Sequence, residues 1–255
     1  MRLVAAALAT ALVLLLVVPI AALVGTVSGS DFARAVDRGM LEALALSLAS
    51  TTLTALLVAL LGTPLAYWLG RRDGALARTV DALVRLPAVT PPAVAGVALL
   101  AAFGRSGVFG EALLALGITL PFTPAAVVMA QLFVAAPFYV LPAAAAFRAI
   151  DADLLWTART LGAGPLRVFA RVAVPLAAPA LLSGLGVAWA RALGEFGATL
   201  MFAGNLPGAT QTLPIAIYAV MEGDLGPARA MALVLLAWAV VLFALLRRGR
   251  GRDAP

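Results

Sequence analysis

Residues 151–175 read Asp-Ala-Asp-Leu-Leu-Trp-Thr-Ala-Arg-Thr-Leu-Gly-Ala-Gly-Pro-Leu-Arg-Val-Phe-Ala-Arg-Val-Ala-Val-Pro. Leu154, Leu155, Ala158 and Leu161 follow the i, i+1, i+4, i+7 spacing of one helical face, with Asp153 and Arg159 away from it. Gly162 and Gly164 stop that helix, as glycine does by taking up left-handed geometry. Pro165 starts a second helix carrying Leu166, Val168, Phe169 and Val172, and Pro175 opens the apolar run beyond it. A short amphipathic helix, a glycine break and a second helix therefore sit between two long apolar stretches. The apolar stripe must be covered, either by lipid headgroups, as an interfacial helix would be, or by a groove on a partner protein.

The apolar stretches on either side set the class of the molecule. Of 255 residues 64% are hydrophobic and 12% charged, against roughly 45–50% and about 25% in soluble domains. A membrane-spanning helix takes about 20 mostly apolar residues. Candidates fall at residues 3–25, 40–70, 86–103, 123–147, 174–193 and 228–246, which predicts an all-α integral membrane protein of about six transmembrane helices. The first run is longer than a signal-peptide core of about 7–15 residues and is expected to be retained. Pro87, Pro91 and Pro92 mark the start of the third. Proline is tolerated at a helix start, and three together predict an irregular approach buried in protein rather than facing lipid. With neither a repeat of fixed period nor a low-complexity linker, residues 1–255 read as a single transmembrane domain.

All basic residues are arginine. Arg71, Arg72, Arg78 and Arg85 follow the second run; Arg148, Arg159, Arg167 and Arg171 lie between the fourth and fifth; Arg247, Arg248, Arg250 and Arg252 follow the sixth; Arg2 precedes the first. The opposite loops hold Arg34, Arg38, Arg105 and Arg229. Short cytoplasmic loops carry the excess of positive charge, so both termini and residues 151–171 are predicted to be cytoplasmic. The formal charge of +6 is thus directed at the edges of the lipid bilayer rather than at nucleic acid.

With no Cys and no His, disulfides, imidazole bases and the commonest zinc sites are excluded, and no set of converging carboxylates suggests an enzyme or a metal site. Arg191 and Glu195 are four apart on one helical face near the outer end of the fifth run. They read as a structural ion pair or as the border of a translocation path or gate, where Arg191 would meet a passing anion. Around them, residues 190–218 are broken by Gly194, Gly197, Gly204, Pro207 and Gly208, and a partly re-entrant outer segment is expected. Glu195 is the only acidic residue expected inside a span, which gives little basis for a transporter driven by an ion gradient. A phosphate-cradling Gly-x-x-x-x-Gly-Lys loop is ruled out by the lack of lysine.

The 151–175 segment resembles the "EAA" loop of permease subunits of ATP-binding-cassette importers, which reads Glu-Ala-Ala, three residues, Gly, nine residues, Ile-x-Leu-Pro. Trp156, Thr157, Ala158, Gly162, Val172, Val174 and Pro175 occupy those positions, with Trp156 and Thr157 departing from the pattern. Gly-Glu-Phe-Gly-Ala at 194–198, Gly-Asn-x-Pro-Gly at 204–208 and Thr-Gln-Thr-Leu-Pro at 210–214 look like the molybdate and sulfate branch. The wording of 198–205, 213–218, 86–92 and 104–110 is closer to molybdate members, and the likeness covers about residues 40–245.

That resemblance implies a type I importer permease that forms the path for molybdate across the plasma membrane of a bacterium or archaeon, with sulfate, thiosulfate or tungstate as alternative cargo. It further implies a homodimer of this chain, two ATPase subunits that bind the ATP and Mg, and an extracytoplasmic molybdate-binding protein. Residues 150–173 would form the coupling loop, with Leu154, Leu155, Ala158, Leu161, Gly162 and Pro175 contacting the ATPase. Arg191, Gly194, Glu195 and Gly197 would border the path.

Overall fold

The computed structural model describes residues 2–250. Arg252 lies outside the described residues, as do the side chains of Arg247, Arg248 and Arg250. The described residues hold only helices and the turns between them. They are α1 (Arg2–Thr26), α2 (Gly29–Asp37), α3 (Met40–Arg71), α4 (Ala75–Val89), α5 (Pro92–Phe103), α6 (Gly110–Ala115) and α7 (Pro124–Ala149). There follow α8 (Ala152–Thr160), α9 (Pro165–Val168), α10 (Val174–Leu193), α11 (Gly197–Ala203), α12 (Leu213–Met221) and α13 (Leu225–Arg250).

Five helices are long and apolar enough to cross a membrane, or six if the bent pair α4–α5 counts as one span. The helix of 32 residues at α3 is longer than an apolar slab of about 30 Å demands, so it projects beyond the hydrocarbon. The third expected span is not a straight helix. Pro87 lies inside α4 rather than at a helix start, and the axis turns by 119° between α4 and α5. The cause is local: proline drives its preceding residue out of the helical region, and Thr90 (ψ 127°) and Pro91 (ψ 138°) are both extended. Pro92 then takes the first turn of α5, where its missing N–H is harmless.

The fifth span also starts earlier than its apolar run. One continuous helix of 29 residues runs Pro165–Leu193, passing through a π-helical turn at Phe169–Ala173. Pro175 therefore does not open the span but sits inside it. A proline in a helix clashes with the carbonyl four residues back, here that of Arg171, a residue of the π turn. The backbone N–H of Val174 reaches Phe169 O, five residues back.

The central core joins α3, α7 and α10 through Val58, Leu69, Tyr139, Val140, Phe147, Ala177 and Leu181. Small residues bring the backbones close, as is usual between helices in lipid. A Cβ on Gly70 would stand 2.7 Å from the carbonyl oxygen of Ala144. Two further clusters occupy the opposite end. One joins α5, α7 and α11 around Leu99, Val127 and Phe202, and the other joins α2, α3, α12 and α13 around Met40, Leu213 and Met231.

Candidate functional site

Arg71, Arg72, Arg78, Arg85, Arg148 and Arg159 gather at one end of the bundle. Arg71 donates to the carbonyl of Ile150 and Arg148 to that of Leu69, both at 3.0 Å, which pins the end of α3 to the end of α7. A cavity of about 360 Å³ beside them is lined by Arg72, Arg78, Arg85 and Arg148 together with Asp73 and Asp81.

Upon this end sits the α8–α9 segment. Asp151 caps α8 by accepting the backbone N–H of Asp153 at 2.9 Å. Gly162 (φ +84°) terminates the helix in left-handed geometry, whereas Gly164 is extended (φ −65°, ψ 163°) and serves as the cap of α9. The expected apolar stripe is divided. Leu155 is buried (4% exposed) and Ala158 half-buried, while Leu154 (53%) and Leu161 (83%) point to solvent beside Trp156 and Leu166. Leu155 and Val168 insert into the central core against Phe147 and Leu69. Tyr67, Phe147 and Phe169 close the joint, with ring centroids 5.3 and 5.0 Å from Tyr67. The loop is therefore keyed into α3, α7 and the π turn, and its remaining apolar side chains are uncovered.

Arg191, Gly194, Glu195 and Gly197 lie at the other end of the Pro165–Leu193 helix, roughly 40 Å away at 1.5 Å rise per residue. Arg191 Nη1 meets Glu195 Oε2 at 2.7 Å, and the carboxylate is almost wholly buried. Its other oxygen accepts the N–H of Ala198 at 2.9 Å in the first turn of α11, where a negative charge is favoured. The pair thus shapes the break between α10 and α11. Gly197 is a packing residue: a Cβ there would lie 2.6 Å from Pro92 Cβ, at the start of α5. At Gly194 the nearest atom would be 3.8 Å away. The broken outer segment expected from residues 190–218 is present as the short helices α11 and α12.

Two groups of polar residues have contacts that the sequence does not signal. A buried belt crosses the bundle between these ends. Thr54 donates to Gln131 Oε1 (3.0 Å), Gln131 Nε2 to Ser50 Oγ (3.1 Å) and Trp189 Nε1 to Thr51 Oγ1 (3.1 Å). Ser47 Oγ accepts the N–H of Leu213 at 2.7 Å, tying α12 to α3. Gln131 alone, an amide within a long apolar run, offered a signal for it. At the end away from the arginine-lined cavities Asp31 pairs with Arg34 (2.6 Å), and Arg34 with Asp224 (2.8 Å), linking α2 to the turn before α13. The backbone N–H and the hydroxyl of Ser28, followed by Arg34, hold the Asp31 carboxyl below the ordinary aspartate range. Among the described residues no group of three or more carboxylates converges to hold a metal ion.

Comparison with known proteins gives a consistent result. Residues 62–248 match the model of the family described as the inner membrane component of binding-protein-dependent transport systems. The chain is 47% identical over 213 residues to the molybdenum transport system permease protein ModB of Mycobacterium tuberculosis, covering 84% of this chain and 79% of that one. It is 41% identical over 209 residues to the protein of the same name from Azotobacter vinelandii, covering 80% and 92%. Among solved structures, a chain of a bacterial alginate ABC transporter in complex with its periplasmic protein superposes with a TM-score of 0.80 at 18% identity, over 98% of this chain and 94% of that one. A chain of the MetNI methionine ABC transporter in an inward-facing conformation gives 0.61 at 21%, over 84% and 94%. At these identities the structural likeness speaks for the fold.

Proposed function

We propose, from the premise that the chain belongs to the family of inner membrane components of binding-protein-dependent transport systems, that it forms the path for molybdate in an ATP-driven importer. It is a transport subunit of the inner membrane and not an enzyme; in such systems ATP is hydrolysed on a separate subunit. The reading of the cargo is supported by the molybdenum permeases from Mycobacterium, Azotobacter and Escherichia coli, 39–47% identical to this chain.

The observation that carries the mechanism is the divided stripe of α8. Leu155 and Val168 are locked into the bundle while Leu154, Trp156, Leu161 and Leu166 stand free. A partner gripping the free face moves the core with it. In this reading two copies of the chain pair, two ATPase subunits grip the loops at the arginine-rich, cytoplasmic face, and an extracytoplasmic protein delivers the anion at the opposite face. ATP closes the ATPase dimer, the loops follow, and the Pro165–Leu193 helix carries the displacement to the Arg191–Glu195 break, where the path opens outward. Arg191, Gly194, Glu195 and Gly197 border that opening.

The test is ATP-dependent molybdate uptake into vesicles that hold this chain, its ATPase and its binding protein. Uptake blocked by tungstate and spared by excess sulfate is expected. Abolition by sulfate reassigns the cargo, and uptake indifferent to ATP removes the importer reading altogether.

A further inference from the structure

A second arginine-lined cavity lies between the end of α3 and α8. It has a volume of about 340 Å³ and is walled by Arg71, Arg72 and Arg159 with Tyr67, Trp68 and Trp156. Its charge is unbalanced: no carboxylate lines it. Among the described residues none of the three guanidinium groups is in an ion pair. The neighbouring cavity differs, because Asp73 and Asp81 line it and Asp81 binds Arg85 at 2.7 Å.

Two of the three groups are held in place without being used up. Arg71 gives one N–H to Ile150 O, and Arg159 stands over the Trp156 ring, 5.2 Å from its centroid. A guanidinium carries five N–H donors in a rigid fork matched to phosphate and carboxylate oxygens, and most of these donors have no protein partner among the described residues. Like charges confined together repel, and the repulsion is relieved when an anion enters between them.

From this arrangement we infer that the Arg71–Arg72–Arg159 cavity binds a tetrahedral oxyanion. The ligand has two sources. The phosphodiester of an anionic lipid is one, since tryptophan and tyrosine gather at headgroup depth and basic pockets between membrane helices take up such headgroups. A free oxyanion from the aqueous phase is the other. The site lies away from the Arg191–Glu195 break and does not depend on which anion the path carries.

The test compares the purified full-length chain with an Arg72→Gln/Arg159→Gln variant, and Arg105→Gln/Arg229→Gln, which neutralises two exposed arginines away from the cavity, serves as a control of equal net charge. Native mass spectrometry counts phosphatidylglycerol retained from mixed phosphatidylglycerol and phosphatidylethanolamine bilayers. Tryptophan fluorescence of the delipidated protein follows titration with sodium molybdate and with sodium phosphate. Retention of phosphatidylglycerol that falls at least fivefold in the cavity variant alone assigns the lipid source. Titration by either salt that weakens at least tenfold in the cavity variant alone assigns the free anion. Equal behaviour of all three proteins in both assays overturns the site. If the cavity variant is not recovered folded, Arg72→Gln is read in the same assays. The Arg72 side chain is exposed and makes no hydrogen bond or ion pair among the described residues, and the same outcomes decide.

Discussion

Asp31 and Glu195 are the two carboxylates that the fold withdraws from solvent among the described residues, and their partners fix what each can do. Glu195 satisfies Arg191 through one oxygen and the Ala198 N–H through the other. Glu195→Leu removes both contacts and leaves Arg191 unpaired. The expected loss is about 2 kcal/mol, below the roughly 3–5 of a fully buried pair, because Arg191 keeps 31% of its side chain exposed. Glu195→Gln retains an acceptor for Ala198 and should lose about half as much; denaturation in mixed micelles measures both. A larger loss for Gln than for Leu would show that the neutral amide is the harmful feature and refute the capping role. At Asp31 the carboxyl is held below its ordinary range by Ser28 and Arg34. Its folded pKa is thus lower than its unfolded one, so its stabilisation is complete above the ordinary aspartate value of about 3.9 and disappears as pH falls through the folded value. Between pH 5 and pH 3 the wild type should lose more thermal stability than Asp31→Asn. Parallel pH profiles for the two proteins would exclude this linkage. The residue type and spacing of Arg191 and Glu195 were legible in the sequence. The Ala198 contact was not, because it depends on α11 turning back over the carboxylate.

At the scale of elements, close approach separates glycines that the sequence presents alike. Gly194 and Gly197 both interrupt the apolar run, yet a Cβ has room at the first and meets Pro92 at 2.6 Å at the second. Gly197→Ala should force α5 from α11 at a cost of about 1–3 kcal/mol, and Gly194→Ala should melt within a degree or two of wild type. Equal melting of the two variants would show that α5 yields freely. The α8 stripe divides in the same manner. Helical spacing placed Leu154, Leu155, Ala158 and Leu161 on one face, and periodicity could carry the reading no further, because a helix lying on a bundle has two apolar flanks, one toward its own core and one toward a partner. Leu155→Ala, at a site 4% exposed, should destabilise the chain by about 2–4 kcal/mol. Leu154→Ala with Leu161→Ala should leave its stability unchanged and weaken copurification of the ATPase several-fold. If the exposed pair changes melting and not copurification, the free face is not the docking surface. The start of the fifth span was hidden for a different reason: proline is common at a helix start, yet this fold also carries it inside helices, as Pro179 in α10 shows, and the π turn before Pro175 has no composition of its own.

For the whole molecule, hydropathy was sufficient to place the spans and insufficient to trace them. The third span shows why. An apolar run of the right length is compatible with a straight helix and with two helices at 119°, and the choice was made by three dihedral-restricted residues, Thr90, Pro91 and Pro92. Charge distribution was the more informative signal. Arg71, Arg72, Arg78, Arg85, Arg148 and Arg159 are dispersed over nearly ninety positions of sequence, roughly the reach that the alternation of spans demands, and the fold brings them to one end, around two adjoining cavities. That end should face the cytoplasm, since a membrane retains positive loops on the side of synthesis. The chain contains no cysteine, so single cysteines can report the orientation without background. Ala152→Cys, exposed at the start of α8, and Ser106→Cys, exposed in the loop after α5, lie at opposite ends. With the permease expressed alone, a membrane-impermeant maleimide applied to intact cells should label Ser106→Cys and reach Ala152→Cys only in inverted vesicles. The reverse pattern would place the arginine-rich end outside, where no ATPase could grip α8, and would refute the coupling mechanism together with the orientation.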